Sequence, residues 1–411
     1  MEKKKLFYGW IIVVAGILCM AVTVGVNNCA SQFVKPVCAD LGFSRQQMNA
    51  NQTVVALGGM LFSLFSGKFY ARFRLKSVLC VGSVAMGLSV FAYSAVSSLP
   101  LFYLISAVLG VCNAMITVIP FSIIIGNWFR KRYGLAIGLA FMGSGVGGMV
   151  LNALLGQWIP ALGWRASYRL LAGIMLAVLV VCTFFVIRIH PSELGLEPYG
   201  AEGETALGQQ RQGSEEGILL RDALRTSRFW AIVGCTGVIS IAINVLNQSV
   251  APHLSDVGYS VAFSAGVVSA GYAGLAIGKI LLGQLFDRIG NTASTLIAGG
   301  ALLLGLAGLA FAQALPMLAA IVVGVGLGCA FGSVAYPIIT RSLFGPRDYS
   351  AIYGVVVAAS NCGGIIAPIF SGGIFDRSGS YVPAFFISMG FGLVGIAVYV
   401  YQFARMGKRG K

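Results

Sequence analysis

Charge is scarce in this 411-residue chain, and acid is scarcer than base: 10% of residues are charged, with 13 acidic side chains against 28 basic ones, and there are 2 histidines. Hydrophobic residues make up 57% of the sequence and mean hydropathy is +0.86. That balance excludes a water-soluble globule of this size. The 9 cysteines are scattered singly, without a CxxC pair or a Cys/His cluster, so they read as small apolar packing residues rather than disulfides or a metal centre. Two distant histidines, and no acidic pair in an apolar run, leave no nucleophile-and-base or metal set for an enzyme. A GxxxxGK[ST] loop is missing too, which disfavours nucleotide-driven work, and no cofactor is expected.

What the chain has is long apolar runs. A hydrocarbon core of roughly 30 Å needs about 20 apolar residues per helix, and runs of that kind predict twelve spans: 11–33, 49–70, 77–97, 101–126, 134–158, 166–188, 229–252, 262–285, 293–313, 317–342, 350–373 and 382–404. The fold class is therefore an all-α membrane protein with twelve transmembrane helices. The first run is too long for a signal-peptide core and reads as a retained helix. An even number of passes puts both termini on one side. Sorting the 28 Lys and Arg by this topology places 22 on the side of the termini, five opposite (Lys35, Arg45, Arg165, Arg169, Arg377) and one, Lys279, within a span. Positive charge marks the cytoplasmic face, so the termini are expected there, in a bacterial inner membrane. The net charge of +15 is then a topology signal and an attraction to anionic lipid, not a sign of nucleic-acid binding.

The chain repeats itself at an offset of 216 residues, which pairs Gly67 with Gly283, Arg72 with Arg288, Gly138 with Gly354, Gly147 with Gly363, Gly148 with Gly364, Gly156 with Gly372 and Gly163 with Gly379. Two six-helix bundles follow, 1–189 and 229–411, joined by a polar segment, 190–228, that reads as a flexible cytoplasmic linker. Its last part, "LLRDALRTSRF", is a candidate surface helix. Parallel six-helix repeats are an architecture in which substrate binds near the bilayer midplane and access alternates between the two sides.

"GKFYARFRLK" at 67–76 and "GQLFDRIGN" at 283–291 resemble the loop after the second helix of each half in the major facilitator superfamily. Within it, "FYGWIIV" at 7–13, "GNWFRKRYGLAIGLAFMGSGVGG" at 126–148, "HPSELGLEPYG" at 190–200 and "PHLSDVGYS" at 252–260 are similar to the group of monocarboxylate transporters and oxalate:formate antiporters. The resemblance implies gating charges at Arg72, Asp287 and Arg288, although Ala71 stands where the first loop has its acid. It also implies a carboxylate anchor in the eighth helix, at Lys279, where the family carries arginine. The lysine of animal monocarboxylate transporters falls at Asn28, the second cation of the oxalate antiporter near Ser360, and the aspartate of proton symporters at Leu275.

Lys279 carries the functional reading of the residues themselves. An ammonium at a helix centre costs about 2.5 to 3.5 kcal/mol on insertion scales and marks a functional site by default. At 1.5 Å per residue it lies roughly 12 Å from Asp287, too deep to reach that surface easily. Polar neighbours are Asn244, Asn247 and Gln248 on one face of the seventh helix, Asn113 and Thr117 in the fourth, where Pro120 loosens the helix, and Tyr272, Asn27, Asn28, Tyr336, Ser360 and Asn361. For each of these, an interhelical hydrogen bond is as good a reading as ligand contact. His253, at the outer end of the seventh helix, is either a proton relay with Lys279 or an interfacial histidine without that role.

The expectation is a secondary active transporter, acting as a monomer in the lipid bilayer, that moves a small organic anion, foremost a monocarboxylate, with proton symport. Lys279, Asn28, Thr117, Asn247, Tyr272, Tyr336, Ser360 and Asn361 are its candidate binding residues. The alternatives are an anion exchanger of oxalate/formate type or a carrier of bulkier amphipathic carboxylates. A sensor built on a transporter fold is the least expected.

Overall fold

The computed structural model describes residues 7–201 and 217–407. The chain divides into two compact units, Met1–Glu216 and Gly217–Lys411. Ten helices among the described residues are long and apolar enough to cross a membrane. Two of them contain a break: Gly163 interrupts the run Tyr133–Val186 and Gly290 the run Val261–Ala310. The ten helices thus make twelve passes, numbered here in chain order as spans one to twelve, with span three at Leu75–Tyr93, span four at Leu99–Trp128, span eleven at Tyr349–Ser378 and span twelve at Val382–Gly407. At φ 81°, ψ 162° and φ 79°, ψ 177° these two residues sit in a region that a Cβ effectively forbids. Both hairpins therefore turn on the one residue type that fits.

Span boundaries follow the apolar runs closely, with one correction. The first helix, Tyr8–Asn28, ends before residue 33, and a separate helix, Ser31–Leu41, carries Pro36. That short helix closes on Gly42 at φ 72°, after which Ser44 caps the second span, Arg45–Arg72, by accepting the Gln47 N–H at 3.1 Å. The other unit repeats the device at the same offset. Gly258 at φ 107° ends span seven, Ser227–Val257, and Ser260 accepts the Phe263 N–H at 3.2 Å to start span eight.

Packing repeats as well. A Cβ built on Gly147 would lie 2.1 Å from the Ala21 carbonyl oxygen, and one on Gly363 would lie 2.5 Å from the Gly237 carbonyl oxygen. Each pair of numbers differs by 216. Spans one and five therefore meet backbone to backbone in the first unit, as spans seven and eleven do in the second. In lipid, where apolar surface gains little by burial between helices, such close approach is a main source of association.

The flanks of the expected linker are held rather than loose. Tyr199 pairs with Phe129 in an isolated parallel bridge, its N–H donating to the Trp128 carbonyl at 2.8 Å and its carbonyl accepting from Arg130 and Lys131 at 3.1 Å. Its ring packs 5.6 Å from Phe7 and 5.8 Å from Phe129. On the other flank a helical turn, Leu220–Ala223, forms as expected, and the Leu220 N–H donates to the Asp348 carboxylate at 2.8 Å. Aromatic and hydrogen-bonding residues inside a polar composition made this anchoring. The polar centre of the segment, 202–216, lies outside the described residues.

Substituting Gly163→Ala or Gly290→Ala is expected to destabilise the protein by about 1 to 3 kcal/mol, the cost of holding a side chain in that backbone region. Gly173→Ala, with no atom within 4 Å of its Cβ, is expected to be neutral or mildly stabilising. Thermal unfolding of the three variants in detergent separates the two classes.

Candidate functional site

Span ten, Leu315–Phe344, leaves regular α-geometry twice, at Gly324–Gly328 and Phe331–Ala335, where the turns widen to an i→i+5 pattern. Pro337 follows directly. It has no N–H for the Ser333 carbonyl, and widening is one way for the ladder to skip a missing donor. The glycines give the first widened turn a second role. A Cβ on Gly278 of span eight would lie 2.5 Å from the Gly326 carbonyl oxygen, so the two helices touch here along their backbones.

Lys279 is the next residue after this contact. It is 6% exposed, so its ammonium does not snorkel to a surface. The Cys329 thiol, between the two widened turns, lies within electrostatic range of Lys279 and also of Tyr336. The same thiol contacts the Ile243 carbonyl of span seven at 3.8 Å. Cys329 thus stands between the cation and a run of hydroxyls.

That run crosses four helices of the second unit. Tyr336 OH donates to the Thr236 carbonyl at 3.3 Å and lies 2.9 Å from Ser240 Oγ, which in turn lies 2.9 Å from Ser360 Oγ. Thr236 Oγ1 donates to the Ile232 carbonyl at 2.9 Å and sits 2.6 Å from Tyr399 OH in span twelve. A hydroxyl has one proton to give. With Tyr336 and Thr236 committed to carbonyls, Ser240 donates to Tyr336, Ser360 donates to Ser240, and Tyr399 donates to Thr236. Tyr336, Ser240, Thr236 and Tyr399 are buried, whereas Ser360 is half-buried. The chain therefore ends at half-buried Ser360.

Of the other predicted residues, Asn244 joins these groups. Asn244 is half-buried, donates to the Ser240 carbonyl at 2.8 Å and lies against Gly364. Asn247, Tyr272 and Asn361 are half-buried in spans seven, eight and eleven. In the first unit Asn28 donates to the Ser144 carbonyl at 3.4 Å and lies against Gly148, the counterpart of the Asn244–Gly364 contact at the 216 offset. Thr117 has φ −107° and ψ −110°, breaking the fourth span three residues before Pro120, and its hydroxyl donates to the Asn113 carbonyl at 2.7 Å. Arg72, Asp287 and Arg288 are exposed at helix ends.

His253 stands apart from this cluster. Its Nε2 lies 2.9 Å from the Leu309 carbonyl and its ring meets Phe385 edge to face at 4.9 Å. With Nε2 donating to that carbonyl, the ring ties spans seven and nine together.

Sequence reasoning missed Ser240, Thr236, Tyr399 and Cys329. For the first two a signal existed: Thr236, Ser240 and Asn244 recur every fourth residue, extending the amide stripe of span seven by two turns. Cys329 and Tyr399 are lone residues in apolar runs, and nothing in their spacing distinguishes them from packing residues.

Residues 11–336 match the model of the Major Facilitator Superfamily. The chain is similar to Monocarboxylate transporter 12 of Rattus norvegicus, 25% identical over 98% of this chain and 87% of the relative. It is also similar to the riboflavin transporter RibJ of Trypanosoma cruzi, 27% identical over 44% of this chain and 39% of that one. Among solved structures, the proton:xylose symporter XylE shares the fold at a TM-score of 0.75 and 13% identity, covering 97% of this chain and 94% of its own.

Tyr336→Phe removes one hydroxyl from the chain of hydrogen bonds. Interhelical hydrogen bonds in membrane proteins average about 0.6 kcal/mol, with a maximum near 1.7, so this variant is expected to fold and to lose only that much stability in denaturation assays. A loss above roughly 3 kcal/mol would show that the tyrosine holds more than the hydroxyl chain.

Proposed function

This chain belongs to the Major Facilitator Superfamily, and from that premise we propose that its cargo is a small organic anion, foremost a monocarboxylate, moved by alternating access. The observation that carries the reading is Lys279, buried in span eight against the widened turns of span ten and near a hydroxyl chain that ends at half-buried Ser360. Similarity to Monocarboxylate transporter 12 along nearly the whole chain supports the same substrate class.

In this reading Lys279 holds the carboxylate as a point charge. Lysine lacks the planar fork with which arginine fixes a carboxylate at two points, so orientation falls to the half-buried Asn244, Asn247, Tyr272 and Asn361 of the same unit. Arg72, Asp287 and Arg288 act as gating charges at helix ends. Protons move with the anion through Lys279, because a protonated lysine and an arriving anion favour one another. His253 is left out of that path, since its Nε2 is engaged by Leu309. The clustering of Lys and Arg on the side of the termini supports a cytoplasmic location for both, in an inner membrane.

Uptake by purified protein in liposomes tests the proposal. The panel is mono- and dicarboxylates with riboflavin as a neutral comparison, with and without an imposed pH gradient. Monocarboxylate uptake faster into an alkaline interior supports proton symport; dependence on internal anion with indifference to pH supports exchange. A charged hydrogen bond is worth about 1.5 to 3 kcal/mol, so Lys279→Gln is expected to lower uptake roughly 10- to 150-fold, with Lys279→Arg retaining part of it. Normal uptake by the glutamine variant would place the anion site elsewhere.

A further inference from the structure

At the start of span three a groove of about 640 Å³ opens between that helix and the end of span six, lined by Lys76, Ser77, Cys80, Val81, Leu88 and Phe184 among others. Its origin is local. Span six widens to i→i+5 turns over Val181–Val186 before the chain leaves the helix, and Phe184 is turned outward, 43% exposed. Val81 and Leu88 on the facing helix are 65% and 55% exposed. The walls are thus apolar and open to the surrounding bilayer, while one end is polar.

That end is also cationic. Lys76 donates one of its three N–H groups to the Ile187 carbonyl, which leaves two and fixes the ammonium at the mouth of the groove. Arg188 lies within electrostatic range of Lys76, and Arg74 is exposed two residues upstream. Glu193, also in range, has one carboxylate oxygen already accepting from the Ile189 and His190 N–H groups at 2.9 and 3.0 Å. Lys76 and Arg188 against one engaged carboxylate leave the mouth positive. From Lys76 to Leu88 the helix rises about 18 Å, close to half the roughly 30 Å hydrocarbon core and so to the depth of one leaflet.

We propose that this groove seats one acyl chain of an anionic phospholipid, with the lipid phosphate paired to Lys76 at its mouth. The charge selects the headgroup and the apolar trough selects a chain: a zwitterionic lipid brings its own cation to a mouth that is already positive, and a soluble phosphate leaves the trough unfilled. This site lies wholly within the first unit and is independent of Lys279.

Native mass spectrometry of the full chain in detergent, with palmitoyl-oleoyl phosphatidylglycerol, the phosphatidylcholine of the same chains, and glycerol 3-phosphate as a soluble competitor, tests the assignment. Phosphatidylglycerol is expected to be retained in preference to phosphatidylcholine. Lys76→Gln is expected to reduce that retention about fivefold, the weight of one basic residue at an anionic surface. Lys76→Arg restores it, which separates charge from any general effect on folding. Ala85→Trp, which fills the trough, removes it while leaving Lys76 in place. Equal retention of both lipids, or retention indifferent to Lys76→Gln, overturns the proposal. Displacement by glycerol 3-phosphate together with indifference to Ala85→Trp also overturns it, in favour of a soluble anion.

Discussion

The hydrocarbon core offers no water to backbone groups, so every N–H and C=O within it must be satisfied by the protein itself. Regular helix does this automatically, and most of the chain obeys. The departures are therefore few and placed with care. Gly163 and Gly290 turn the chain between passes. Thr117 breaks span four and Gly324–Ala335 loosens span ten, each just ahead of a proline that removes a donor. At Thr117 the hydroxyl hydrogen-bonds to the Asn113 carbonyl and stays within its own helix. In span ten, Tyr336 meets Ser240 of span seven, and span seven in turn joins spans eleven and twelve through Ser360 and Tyr399.

Glycine governs how these helices meet. Where Gly147 faces Ala21 and Gly363 faces Gly237, the carbonyl of one helix occupies the place of a missing Cβ on the other. Contacts of this kind bring whole backbones together and leave larger side chains on either side. Asn28 and Asn244 project beside such contacts, against Gly148 and Gly364. Tight packing and the position of the amides are one feature, repeated in each unit.

The fold was legible because its signals are long. Twelve apolar runs and an offset held across many glycines survive errors at single residues, and the caps Ser44 and Ser260 lie on the same offset although no glycine count would have found them. The site was legible only in part. Lys279 declared itself by charge, and the amides of span seven by spacing. Ser240 did not, because serine in an apolar run commonly bonds to its own helix, as Ser89 does to Ala85 at 2.7 Å. That Ser240 instead joins Tyr336 and Ser360 depends on three helices converging, which no local pattern encodes. The segment 190–201 misled for the opposite reason: its polar composition conceals Tyr199, whose backbone and ring together fix it to Phe129.

The internal repeat also supplies a control for the meaning of Lys279. Its counterpart at the 216 offset is Ser63, fully buried on span two, whose hydroxyl donates to the Gly59 carbonyl of its own helix at 2.7 Å. The surroundings correspond: Gly58 lies over Ala107 as Gly274 lies over Val322 and Gly326, so both positions sit beside the same crossing of helices. A backbone that accepts serine there at negligible expense has no structural need of an ammonium, whose insertion at a helix centre costs about 2.5 to 3.5 kcal/mol. Packing is the property the two units share, and the cation is what distinguishes them. The difference between the units at this position is one of charge rather than of helix packing.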